Sequence, residues 1–150
     1  MRDCYMRSDP MFIAWQAGQR YDPADRDSWW DPWYGVTLEA AGRGVQIRRA
    51  RIVSEPISEY IRYEHHLTFA NVLCGEQVRW LPRRQATDLA LPGNDFWLFD
   101  GNVVLVNHFT GEGESGGRET DSDPDVVRLC ASAFEAVWER AIPHESYTPA

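Results

Sequence analysis

Apolar positions recur along this chain in blocks whose spacing shifts from irregular to helical to alternating, and that spacing predicts most of its elements. The first forty residues carry Trp15, Tyr21, Trp29, Trp30, Trp33 and Tyr34 among the breakers Pro10, Gly18, Pro23 and Pro32. Such a segment cannot bury large rings against itself and is expected to pack on the main sheet. Residues 32–41 (PWYGVTLEAA) predict a helix stopped at Gly42-Arg43-Gly44, where glycine takes the left-handed cap. Residues 45–53 (VQIRRARIV), β-branched with interleaved arginines, predict a strand.

Ser54-Glu55-Pro56 has the composition of a helix start, with Ser54 as cap and Pro56 in the first turn, and the helix is expected to run to about Cys74. On a 3.6-residue period Ile57, Ile61, Thr68 and Val72 share a face with Glu64. Residues 77–81 (QVRWL) predict a second strand, and 95–99 and 102–108 a hairpin turning at Asp100-Gly101, since Asp-Gly supplies the positive φ angles of tight turns. Residues 111–123 contain no apolar side chain and predict a flexible solvated loop. Asp123 or Ser122 then caps a helix from Pro124 to about Ala141, with Val126, Val127, Cys130, Phe134, Val137 and Trp138 inward.

This order predicts one domain over 1–150 of α/β class with α+β character. Its mixed sheet of four to five strands is built from a βαβ unit and a β-hairpin, with helices flanking. The length suits a single core.

Charge removes several functions. The net charge is −8, which opposes direct nucleic-acid binding through phosphates. All fifteen cations are arginine, so Schiff-base and Walker-lysine chemistry is excluded. Cys4, Cys74 and Cys130 fit no metal spacing, so neither metal nor cofactor is expected, and their odd number suits a reducing cytoplasm. No apolar run reaches the ~18 residues of a membrane span, and the amino terminus carries no signal-peptide core.

Candidate chemistry is scattered. Asp95 and Asp100 bracket a strand, lie about 16 Å apart and point to opposite faces, so they form no carboxylate pair; Asp100 reads as a turn residue. His65 and His66 point about 100° apart on a helix and cannot share one metal. Glu64 on an apolar face needs a partner or a ligand, and Arg49 or Arg51 on the preceding strand could pair with it. Arginines 48, 49, 51, 62, 79, 83 and 84 could line an anion cleft or be satisfied by the chain's 23 carboxylates. Arg79 should face away from Val78 and Trp80. Arg83 and Arg84 follow a strand end, where open α/β sheets bind ligands. Asn107 and His108 end the hairpin beside the 111–123 segment, which could act as a lid. The block Trp29, Trp30, Trp33 and Tyr34 is either core or a protein-binding surface.

Four segments together, 50–56 leading into 60–64, 75–84, 91–100 and 134–144, resemble an actinobacterial family catalogued as domain of unknown function 6879. The resemblance covers nearly the whole chain, and it implies that such proteins are companions of helix-turn-helix regulators. Residues 77–108 are similar to the second half of the domain that follows the DNA-binding head in those regulators. They are also remotely similar to one half of a phospholipase-D-like fold. In that fold the catalytic strand carries His-x-Lys followed by Asp. Laying Asp100 on the motif's Asp puts Gly93 at the His and Asp95 at the Lys, so nucleophile and cation are both missing.

The expected function is therefore a non-catalytic regulatory or protein-interaction domain, partner of a helix-turn-helix regulator or a small-ligand sensor, with a second copy of itself as a further candidate partner. The competing reading is an enzyme acting on an anionic substrate held between Arg83 or Arg84, Glu64 and His108.

Overall fold

The structure, a computed structural model, describes residues 3–150. In chain order it has helices α1 (Pro10–Gln16), α2 (Arg26–Trp29) and α3 (Pro32–Gly42), strand β1 (Ile47–Val53), helix α4 (Glu59–Leu73), and strands β2 (Glu76–Pro82), β3 (Asp95–Phe99), β4 (Val103–Phe109) and β5 (Ser115–Asp121). Helix α5 (Pro124–Arg140) and strand β6 (Ile142–Pro143) follow, with short 3₁₀ turns at Arg83–Gln85 after β2 and His144–Ser146 after β6.

β1 and β2 pair in parallel across the α4 crossover, as expected for a βαβ unit, and β6 adds antiparallel to β2. The α+β class holds, but the strands form two sheets rather than one. Sheet A has the order β1-β2-β6, and the hairpin joins β5 in a separate antiparallel sheet B of order β3-β4-β5. The hairpin turns as expected, with Asp100 at φ 49° and Gly101 at φ 70°, and the Asn102 N–H bonded to the Phe99 carbonyl.

Two sheets coexist because α5 is long enough to cover both. Val127 and Cys130, in its first half, pack with Val104 and with Phe96, Leu98 and Val106 of sheet B. Val137 and Ala141, at its far end, pack with Ile52, Leu81 and Ala50 of sheet A. The opposite face of sheet A is covered by α4. There Tyr60, Ile61, Tyr63, Leu67, Thr68, Ala70 and Asn71 are buried, whereas Val72, expected on the inner face, is exposed. The helix is buried on two sides because the aromatic amino-terminal segment packs over it. Phe12 meets Tyr60 and Tyr63, and Trp15 meets Tyr63 and His66, with ring centroids 4.9–6.0 Å apart.

Two local readings change. Helix α4 starts at Ser58, not Ser54: the Ser58 Oγ accepts from the Ile61 N–H at 3.2 Å. Ser54 is taken by a tertiary partner, its N–H and hydroxyl donating to the Asp3 carboxylate at 2.7 and 2.8 Å. Within 111–123, residues 115–121 form β5 rather than a loop. Their ladder to β4 runs from Val104↔Asp121 to Phe109↔Ser115 with a bulge at His108/Phe109. This strand is held by backbone pairing with no apolar side chain of its own, so a reading based on hydrophobic pattern misses it.

Candidate functional site

Strand β1 carries the chain's densest run of cations, and alternation splits it between two layers. Arg48, Ala50 and Ile52 face α5. Arg48 meets Glu135 there and lies over the Phe134 ring, 4.9 Å from its centroid. Arg49, Arg51 and Val53 face α4. Arg49 donates through Nε and Nη2 to Glu76 at 2.7 and 3.2 Å, and Arg51 Nη2 lies 2.5 Å from Glu64 Oε2.

Both carboxylates are held from further sides. Glu76 is only 2% exposed and also accepts from Asn71 Nδ2 at 2.9 Å and Trp33 Nε1 at 2.8 Å. Burial alone would raise the Glu76 pKa, but the Arg49 charge and the bonds from Arg49, Asn71 and Trp33 prevail and hold it below its ordinary value. Glu64 accepts from the Tyr60 hydroxyl at 2.9 Å. Burial, then the Glu64 charge, pushes the Tyr60 phenol far upward. Burial, then the Asp9 charge, does the same to Tyr63. Both phenols are fixed as donors at neutral pH and cannot act as bases.

Two cavities flank this strand. One of about 250 Å³ lies between β1 and β3, floored by Ala133, Phe134 and Val137 of α5 and bounded above by Tyr5 and Ile61, with Asn107 and Trp97 on the sheet B side. The other, about 400 Å³, lies among α1, α3 and α4 and holds Glu64, Asp9, Asp31 and Asn71; Arg49 and Arg51 belong to both.

The site residues expected from sequence are dispersed over these features. Glu64 takes Arg51 of the two arginines considered, and Arg49 goes to Glu76. Asn107 lines the β1–β3 cavity, but Glu64, His108, Arg83 and Arg84 do not. Pairing opposite Gly117, His108 lies on the other face of β4 from Asn107 and approaches Glu119 at 3.3 Å. Arg83 donates to Ser54 Oγ at 2.9 Å and to the Ile52 carbonyl at 3.2 Å, tying the end of β1 to the 3₁₀ turn after β2. Arg84 is 77% exposed and pairs with Glu55 at 3.5 Å. Arg79 faces away from Val78 and Trp80, donating to the Trp138 carbonyl at 2.9 Å. The two helix histidines diverge, His65 toward Trp80 and His144 and His66 toward Trp15. Among the described residues no group of three or more His, Cys, Asp and Glu is placed to hold a metal ion, and no helix is long and apolar enough to cross a membrane.

The aromatic block divides. Trp29 and Tyr34 are core, Trp30 is half-buried under the Arg26 guanidinium, and Trp33 is 38% exposed with its ring 5.2 Å from that of Trp97. Phe99 and Val103 were missed as exposed residues, and Trp97 and Leu105 as their half-buried neighbours. Alternation and the pairings Trp97↔Leu105 and Phe99↔Val103 place all four on the sheet B face away from α5. Their signal in the sequence is a hairpin apolar on both faces although only one helix is available to cover it.

The chain belongs to the family described as Domain of unknown function (DUF6879), whose model matches residues 1–149. No curated protein and no solved structure matches it.

Proposed function

We propose that this member of the family is a non-catalytic regulatory module that binds another protein through the open face of sheet B, the partner being a helix-turn-helix regulator. The observation that carries this reading is that face itself. An antiparallel sheet with one side covered normally presents polar residues on the other. Here that side carries Phe99 and Val103, 51% and 36% exposed, beside half-buried Trp97 and Leu105, with the 38% exposed Trp33 packed against Trp97. A contiguous apolar face with two tryptophans fits a protein interface, where Trp anchors contribute most of the affinity. The net charge of −8 favours a partner with a basic rim and disfavours a second copy of the same acidic chain. A DNA-binding regulator supplies such a rim, and the family resemblance points to the same class.

The enzyme reading has less support, because Glu64, His108, Arg83 and Arg84 do not converge on one cavity and each has a partner within the chain.

The test is titration of the purified chain with helix-turn-helix regulators of its native host, by calorimetry and sedimentation. Phe99→Ser and Val103→Ser remove exposed side chains and should leave the melting temperature unchanged. Each should weaken binding about tenfold. Regulator binding that ignores both substitutions, or self-association through this face in place of regulator binding, would overturn the proposal.

A further inference from the structure

Strands β1 and β3 are both edge strands, since β1 pairs only with β2 and β3 only with β4. Residues 48 to 53 of β1 and 94 to 97 of the β3 side line one cavity in unbroken succession. Neighbouring side chains on a strand point to opposite faces, so a cavity that touches all of them runs along the strand edges themselves. It is a slot between two sheets, floored by α5, with a volume of about 250 Å³.

The charged groups on its walls are already satisfied. Arg48, Arg49 and Arg51 pair with Glu135, Glu76 and Glu64, and the Asp95 carboxylate accepts from the Tyr5 hydroxyl. A charged ligand would lose its water here and find no counter-charge in exchange. Most of the remaining lining is apolar, and Tyr5, Phe96, Trp97, Phe109 and Phe134 contribute five rings. Asn107 is the exception. It lines the slot half-buried, and among the described residues its side-chain amide has no hydrogen-bond partner. The strand edges add to it, since every second residue of an edge strand turns its backbone N–H and C=O away from its one neighbour.

We propose that this slot binds a small neutral ring carrying an amide-type edge, a donor beside an acceptor, as in a carboxamide or a lactam. The aromatic lining takes the apolar body of the ring. The Asn107 amide both donates and accepts, so it matches such an edge and fixes the orientation of the ligand. A saturated hydrocarbon would bury that amide unpaired, which is costly. The volume of about 250 Å³ lies below the ~300–1,000 Å³ of drug-sized pockets and limits the ligand to one or two rings. This site is separate from the docking face, although Trp97 borders both.

The test uses benzamide, benzoate and toluene as probes on the isotope-labelled full chain, following the Asn107 side-chain amide, the Trp97 indole and the methyl groups of Ala50 and Val137 by NMR. Benzamide should give saturable shifts at all four residues. Benzoate, of equal shape but charged, should bind about tenfold more weakly. Asn107→Leu replaces the amide by methyl groups of similar shape. Benzamide should then lose about fivefold in affinity, whereas toluene should bind at least as well as to the parent chain, which also shows that the slot is still formed. Leu91→Trp, which fills the slot from a half-buried position, should abolish the response to both. No saturable shift with benzamide, equal binding of benzoate, or undiminished benzamide binding by Asn107→Leu would each overturn the proposal. Any of these outcomes, with regulator binding intact, leaves the docking reading standing.

Discussion

Arg51 of β1 and Glu64 of α4 meet at 2.5 Å, with four-fifths of each side chain removed from solvent, and this pair fastens the crossover helix to the edge strand of sheet A. Breaking it from one side leaves a charge stranded between layers. Arg51→Met or Glu64→Leu alone should therefore cost about 2–4 kcal/mol of unfolding free energy, and the double variant Arg51→Met/Glu64→Leu should recover much of the loss. Urea unfolding of the four proteins in the cycle measures it. Additive losses would mean that the two residues do not act as a pair.

The Glu76 carboxylate, held below its ordinary value of 4.5, ties stability to acid. A depressed carboxylate contributes stability in full above its unfolded pKa, and that contribution is lost as pH falls through the folded value. The chain should accordingly weaken as pH drops below about 4.5. Glu76→Gln should flatten this dependence and lower stability at neutral pH, because Arg49 then loses its counter-charge. Urea midpoints from pH 3 to 7 compare the two.

A second pH dependence comes from His65 and His144, whose rings lie 4.8 Å apart beside Trp80. Burial lowers both from the ordinary 6.5, and a neighbouring histidine adds to it in each case, His66 for His65 and His65 for His144. The Trp80 indole N–H donates to His144 Nδ1 at 3.2 Å, a bond lost when that nitrogen is protonated. The unfolded chain takes up these protons first as pH falls, so stability is complete above about 6.5 and declines below it. NMR titration should place both imidazole midpoints below 6.5, and His144→Gln should reduce the slope of stability between pH 7 and 5.

Gly75 ends α4 at φ +95°, and a Cβ there would stand 2.5 Å from the Ala41 Cβ. Gly75→Ala combines a strained backbone with a clash against α3, and should cost about 1–3 kcal/mol, more than an ordinary capping change. Thermal unfolding reads the loss, and Ala41→Gly on the Gly75→Ala background should restore the steric part alone.

What could be read from the sequence follows the range of the forces involved. The α5 stripe and the Asp100-Gly101 turn are local signals, and both elements formed as expected. An ion pair for Glu64 was legible because its helix face is apolar. The choice of Arg51 over Arg49 was not, since both point to the same side of β1 and only the packing of α4 and the position of Glu76 separate them. Trp33 and Tyr34 are adjacent and about 100° apart on α3, and the pattern alone does not say which of them reaches the surface. The slot between β1 and β3 was invisible, because its walls come from segments more than forty residues apart and exist only once α5 has spanned both sheets.

Strand β5 has no apolar side chain, lies at the edge of sheet B, and is exposed along almost its whole length. What holds it is the ladder to β4, whose hydrogen bonds are each worth little in net terms when water competes for them. Strand β2, by contrast, buries Val78, Trp80 and Leu81 between α4 and α5. Amides of β5 bonded to β4 should thus exchange with solvent about a hundredfold faster than those at the centre of β2, opening locally without global unfolding. Thr120 pairs with Leu105 on the open face, so Thr120→Val adds an apolar cross-strand contact and should slow exchange across β5 by several-fold. Hydrogen–deuterium exchange followed by mass spectrometry reads both effects. Equal protection of β5 and β2 would mean that this strand is held by more than its backbone ladder.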